Sequence, residues 1–275
     1  MKRIVLIIEY DGTNYVGWQV QPNGIAVQQV ICEALHRLTG ERLVLHASGR
    51  TDSGVHARAQ VAHFDTECRI PSDKYAFALN TYLPADIRIK ASFEMPGEWA
   101  GEETDFHSRF SVKRKHYRYR VLNSVHNSAF LRDTALHIHA SLDIEKLNAA
   151  AALFLGEHDF AAFKASGSKA TSTVRTIFVS QWSQEGELLV YDVAGSGFLY
   201  NMVRIMVGTM LKIGMGYAEL DTIKCALEKS SRENAGDTAP AHGLTLWRVE
   251  YDEFDTERIL RGSTPSPAGA LPQTP

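Results

Sequence analysis

Between Phe198 and Ile213 the sequence reads FLYNMVRIMVGTMLKI, apolar on nearly every face of a helix. A helix of that kind has to be enclosed. The segment is shorter than a bilayer span and contains Asn201, Arg204 and Lys212, so it is read as a core helix. An arginine inside such a helix must be paired or carry a heavy desolvation cost. An acidic group from elsewhere in the chain should meet Arg204, and Asp52 is a candidate. A structural ion pair, or an arginine reaching out at the helix edge, is an equal alternative.

The rest of the chain reads as strands and helices that could enclose this one. Strands are predicted at Arg3–Tyr10, Leu43–Ser48, Gln60–Phe64 and Ile87–Phe93, with helices near Val27–Leu38 and Ser72–Tyr82. A second series follows. It has a strand at His116–Leu122, a helix from Ile144 to Leu155 with Ser141 and Asp143 as caps, and a hairpin of Val174–Trp182 with Leu188–Val193. Helices at Phe198–Ile213 and Leu220–Ser230 and a strand at Thr245–Tyr251 complete it. This predicts an α+β fold of two related α/β halves sharing a mixed, mostly antiparallel sheet flanked by helices. The halves are placed at residues 1–105 and 106–254. An acidic surface loop is expected at 95–105 and a disordered tail at 255–275.

At 275 residues and 44% hydrophobic content, the chain can bury its core without disulfides or metals. Its three cysteines, Cys32, Cys68 and Cys225, are far apart and lack C-x-x-C spacing, which fits a reducing cytoplasm. No targeting or membrane signal is read. The net charge of −3 does not favour nucleic acid, but the charge is uneven. Lys113 to Arg120 is a dense basic block, and a local basic face can bind phosphates whatever the total.

The densest polar cluster is Ser48-Gly49-Arg50-Thr51-Asp52-Ser53-Gly54-Val55-His56-Ala57-Arg58, lying between two predicted strands. Gly49 and Gly54 permit turns that would present Arg50, Asp52 and His56 at a sheet's end. The competing reading is a solvated turn whose aspartate caps its own backbone. Ser53, His56 and Asp52 do not make a convincing triad, because triad members come from separate segments. Tyr117 and Tyr119 alternate with Arg118 and Arg120, so rings fall on one face and cations on the other. That arrangement suits stacking on an unpaired base beside phosphates. The competing reading, which the pattern alone favours slightly, is an amphipathic edge strand with its tyrosines in the core and a charged outer face. His137-x-His139 lacks a third metal ligand. Gly195-Ser196-Gly197 reads as a helix cap rather than a phosphate cradle.

Several ordered blocks together resemble the tRNA pseudouridine synthase A family. They are Glu9 to Gln19 (EYDGTNYVGWQ), Gly49 to Ala57 (GRTDSGVHA), Gln60 to Phe64, Phe106 to Ser111 (FHSRFS), Tyr117-Arg118-Tyr119, Gly197 to Arg204 (GFLYNMVR) and Ala239 to Leu244 (APAHGL). The resemblance spans roughly residues 3 to 251. It implies Asp52 as the catalytic aspartate, Tyr117 as the ring packing on the target base, and Arg204 as the partner of Asp52. It also implies a homodimer with a basic cleft. The substrate would be tRNA, at uridines of the anticodon stem-loop (tRNA positions 38–40), with no cofactor and no metal. Arg50, Arg58, Arg109 and Arg114 are the candidate substrate-binding arginines beside Tyr117. The alternative from another class is a non-catalytic tRNA-binding or chaperone protein. The acidic stretch at 95–105 looks longer than the family's usual connection, and the tail is extra.

Overall fold

The computed structural model describes residues 1–95, 106–167 and 170–262. In chain order the first elements are β1 (Lys2–Tyr10), α1 (Val27–Thr39), β2 (His46–Ala47), β3 (His56–Thr66), α2 (Tyr75–Asn80) and β4 (Ile87–Glu94). Next come β5 (Arg114–Asn123), β6 (Leu136–Ile138), α3 (Ile144–Ala152), β7 (Gly156–Asp159), β8 (Val174–Glu185), β9 (Leu188–Gly195), α4 (Met202–Gly214) and α5 (Asp221–Lys229). The chain ends its described part with β10 (Leu244–Glu250) and α6 (Thr256–Leu260). This is an α+β fold in which β1 pairs antiparallel with β3 and β4, β2 with β3, β5 with β9, β7 with β8 and β8 with β9, while β5 and β6 pair in parallel.

Two compact units form. One comprises Met1–Lys113 and Leu246–Pro275, the other Arg114–Thr245. The boundaries read from the sequence, at 105/106 and 254/255, fall elsewhere. Phe106 explains the first difference: its ring packs on Tyr251 (5.1 Å) and Phe254 (5.8 Å), keeping the segment that follows in the first unit.

In the first unit the strand order is β4-β1-β3-β10, with β2 on β3. Ile4 to Ile8 are all fully buried, a continuous apolar run that suits a strand covered on both faces. Helix α1 buries Val27, Ile31, Ala34 and Leu35, one stripe at helical spacing, and Gly40 ends it in the left-handed region. The strand expected at Leu43–Ser48 shrinks to His46–Ala47. The carbonyl of Leu45 is taken by the side-chain amide of Gln28 on α1 (3.0 Å) instead of a strand partner.

The tail expected from 255 is corrected in its first part. Asp255 caps α6 by accepting from the Glu257 amide (2.9 Å), and it holds Arg248 through Nε (2.8 Å). Thr256 is fully buried, and its hydroxyl accepts from the Val249 amide (3.0 Å). The remainder of that tail, 263–275, lies outside the described residues. So does the expected acidic loop except for its first residue, Met95.

In the second unit the order is β5-β9-β8-β7, with β6 beside β5. The predicted hairpin is β8–β9. Asp143 caps α3 by accepting from the amides of Glu145 (3.0 Å) and Lys146 (3.1 Å). Helix α4 starts at Met202, not Phe198, because Asn201 sits in the left-handed region (φ 59°) and breaks helical continuity before it. Gly195-Ser196-Gly197 therefore does not cap this helix. Gly195 instead ends β9, where a Cβ would meet Ile177 Cδ1 at 2.8 Å. No helix among the described residues is long and apolar enough to cross a membrane.

Candidate active site

Asp52 stands half-buried on the loop between β2 and β3. That loop is not a free turn, because the segment from Gly12 to Trp18 grips its backbone. The Trp18 amide donates to Thr51 O (3.1 Å), the Gly54 amide to Tyr15 O (3.3 Å), and the Val55 amide closes the turn on Asp52 O (3.1 Å). Two glycines make the approach possible. A Cβ on Gly12 would stand 2.1 Å from Val55 O, and one on Gly17 would stand 2.6 Å from Thr51 O. These distances forbid any side chain without movement of the loop.

Side chains brace the same loop from below. The Tyr10 hydroxyl and Thr51 Oγ1 share a buried hydrogen bond of 2.7 Å, and burial drives the Tyr10 phenol well above its ordinary range, so it stays neutral. Fully buried Gln60 accepts from Ser48 Oγ (2.6 Å) and donates to Gly49 O (2.9 Å). At the far end, His56 is buried and its Nδ1 accepts from the Gly12 amide at 3.0 Å. The Asp11 carboxylate lies 3.1 Å from the same nitrogen. Burial raises the Asp11 pKa, but hydrogen bonds from the Thr13 hydroxyl and amide, with His56 beside it, outweigh that and leave it lowered.

The arginines separate by environment. Arg50 is exposed on the Asp52 loop. Arg58 is committed within the first unit: its guanidinium contacts Glu257 and lies 4.7 Å from the Trp247 ring. Arg109 is exposed, 5.5 Å from the Phe110 ring.

Tyr117, Arg204 and Arg114 belong to the second unit. Tyr117 is on β5, mostly buried, with its ring edge-on to Phe198 at 5.1 Å. Tyr119 is fully buried and donates to Pro240 O at 2.8 Å, so this tyrosine serves the core. Strand β5 is not an edge, since β9 and β6 flank it. Arg118 makes a two-pronged pair with Asp192 (2.9 and 3.1 Å), and Arg114 lies over Phe178 at 4.5 Å.

Helix α4 is buried except along Arg204, Gly208 and Lys212, one residue every four. The segment ending at Ala239 runs along that stripe. The Ala239 amide donates to Arg204 O (3.1 Å), Lys212 pairs with Asp237 (2.8 Å), and a Cβ on Gly208 would fall 1.9 Å from Asp237 O. The Arg204 guanidinium is aimed by Nε donating to Ala239 O (2.7 Å) and Nη1 donating to Asn201 Oδ1 (2.9 Å). The Ala239 and Asn201 blocks of the resemblance thus meet at Arg204.

Sequence reasoning missed a cluster centred on His63. His63 is buried, its ring 5.0 Å from His46 and 4.7 Å from His107. Ser108 Oγ donates to His46 O (2.6 Å) and lies 2.5 Å from His63 Nδ1. Burial, reinforced by Arg3, His107 and His46 and opposed by Asp65, pushes the His63 pKa down to about 3. The Gln60 to Phe64 and Phe106 to Ser111 blocks gave the signal, because His63 lies in the first and His107 and Ser108 in the second. Among the described residues no three or more His, Cys, Asp or Glu side chains gather in a way that could hold a metal ion.

A pH dependence follows. The unfolded chain binds a proton at His63 near the ordinary histidine value, whereas the folded chain refuses it until about pH 3. Stability conferred by neutral His63 is thus present above pH 6.5 and is lost as the pH falls. The expected loss is about 2–3 kcal/mol between pH 7 and 4.5. Thermal melts over that range should show it, with a visibly flatter slope for His63→Asn. An identical slope in both proteins would remove His63 as the source.

A family model described as tRNA pseudouridine synthase matches residues 6–100 and 150–252. The tRNA pseudouridine synthase A of Acetivibrio thermocellus is 48% identical over 251 residues, covering 91% of this chain and all of that protein. That of Ruminiclostridium cellulolyticum is 46% identical over 252 residues, again 91% of this chain and all of the other. Among solved structures, an archaeal box H/ACA sRNP Nop10-Cbf5 complex aligns with 88% of this chain and 59% of that one. Its identity of 11% and TM-score of 0.35 are too slight to inform the site. By the two matched segments and the full-length relatives, this chain belongs to the tRNA pseudouridine synthase family.

Proposed function

We propose that the protein isomerises uridine to pseudouridine in the anticodon stem-loop of tRNA, with Asp52 as the nucleophile. The observation that carries this reading is the grip on the Asp52 loop. A solvated turn needs no second segment beneath it, whereas a reacting carboxylate has to be held in place. Family membership supplies the reaction class.

The reaction breaks the N1–C1′ bond, turns the uracil and joins C5 to C1′, with the C5 hydrogen leaving to solvent as N1 gains one. No electrons are gained or lost. An ionised Asp52 can attack C1′ as carboxylates do in retaining glycosidases, or abstract a ribose proton. Arg204 is the proposed cation for Asp52, keeping it ionised. Tyr117 is the proposed ring against the target base, offsetting the few kcal/mol that unstacking costs. Arg50, Arg109 and Arg114 are proposed for phosphates. Arg58 is better read as structural, given its tie to Glu257. A homodimer working in the cytoplasm completes the reading.

The experiment is tritium release from tRNA labelled at uridine C5. Release by the native chain is expected. Tight tRNA binding with no release would turn the assignment to the non-catalytic RNA-binding alternative.

A further inference from the structure

Phe110 is 76% exposed, and three features set it apart from a stray surface aromatic. Its position is fixed: the amides of Phe110 (3.0 Å) and Ser111 (2.9 Å) both donate to His107 O, while Ser111 Oγ accepts from the His107 amide (2.8 Å). Its ring is backed by another, His107, at 4.5 Å, which is followed by His46 at 5.1 Å. A cation lies over it, the exposed Arg109 guanidinium 5.5 Å from the ring centroid. An exposed aromatic ring on a hydrogen-bonded turn, with an exposed guanidinium at hand, is a pairing that receives unstacked bases, the ring meeting the base and the cation its phosphate. The buried Ser108 between them ties this turn to β2 through His46 O (2.6 Å). From His46 the chain reaches Asp52 in six residues, at most about 20 Å of extended backbone. A polynucleotide engaged at Asp52 extends over such a distance.

We propose that Phe110, with Arg109 beside it, is a stacking platform for a nucleobase of the RNA substrate other than the one that reacts. This rests on the reading of the protein as a tRNA-modifying enzyme. The platform holds a neighbouring nucleotide, so it contributes to binding and not to the chemical step.

The test compares Phe110→Ala, Phe110→Tyr and Phe77→Ala with the native chain. Phe77 is a fitting control: it is 73% exposed with Lys74 at 5.6 Å from its ring, but it sits on α2. Direct tRNA binding and tritium release are both measured. Phe110→Ala is expected to raise Kd and KM about tenfold with kcat nearly unchanged, in keeping with the loss of one stacked base. Phe110→Tyr should bind within about twofold of native, and Phe77→Ala should match native. Native affinity in Phe110→Ala overturns the platform. So does a change in self-association without a change in tRNA affinity, which would make the patch a protein contact. Should the native chain itself release no tritium, the catalytic reading fails separately, and the binding comparison still decides the platform.

Discussion

Asp52→Asn is expected to bind tRNA within about twofold of native while turning over at least about 10³-fold more slowly, the scale of losing a nucleophile. Asparagine keeps the size and the hydrogen-bonding oxygen of aspartate. The backbone bonds from Trp18, Gly54 and Val55 that hold the loop involve no Asp52 side-chain atom. The backbone frame of the loop should therefore survive, and a melt that stays cooperative separates lost chemistry from lost structure. Asp52→Ala tests the same point without an amide that could hydrolyse back to the acid. Turnover near the native rate in both variants would require another nucleophile. Inactivity of the native chain alongside both variants would favour the RNA-binding alternative.

Much of the frame was legible in local pattern. The apolar run Ile4–Ile8, the α1 stripe and the β8–β9 hairpin each announce themselves through period, length or turn residues. What escaped was short or polar: β6 has three residues, and β7 reads GEHD. The helix α6 hides in a stretch that composition assigns to a tail, because its order comes from Asp255 and Thr256 meeting Arg248 and Val249 of β10 and from Glu257 meeting the remote Arg58. The candidate residues show the same division. Asp52 and Arg204 stand out as residue types in context, one between glycines and one within an apolar helix. Their surroundings do not stand out. Nothing local says that Gln60 holds Gly49, that Tyr10 meets Thr51, or that Ala239 O takes the Arg204 Nε proton. Such contacts join positions 11 to 41 residues apart and exist only once the chain has folded.

That dependence on close backbone approach gives the second large effect, at Gly17. Its φ of +103° is a conformation that L side chains rarely adopt, and its Cβ would stand 2.6 Å from Thr51 O and 3.1 Å from Asp52 C. The obstructing atoms are backbone, so no rotamer change relieves the clash. Either the Asp52 loop moves or the segment beneath it does. Movement of Gly17 would also disturb its carbonyl, which receives the Val27 amide at the start of α1 (3.1 Å). Gly17→Ala is expected to cost about 2–4 kcal/mol in stability from strain and overpacking combined. Activity should fall by more than about 100-fold, since a displacement of about 1 Å at a reacting group has that scale. Gly40→Ala isolates the dihedral contribution. Gly40 also has a positive φ, +76°, but nothing lies within 4 Å of its Cβ position. It should lose only about 1–2 kcal/mol and keep its rate. If Gly17→Ala melted and turned over like Gly40→Ala, the loop would tolerate a side chain beneath it, and the grip on Asp52 would not be what positions the carboxylate. A loss of rate well beyond any loss of folded protein would place the effect of Gly17 on the reacting group itself.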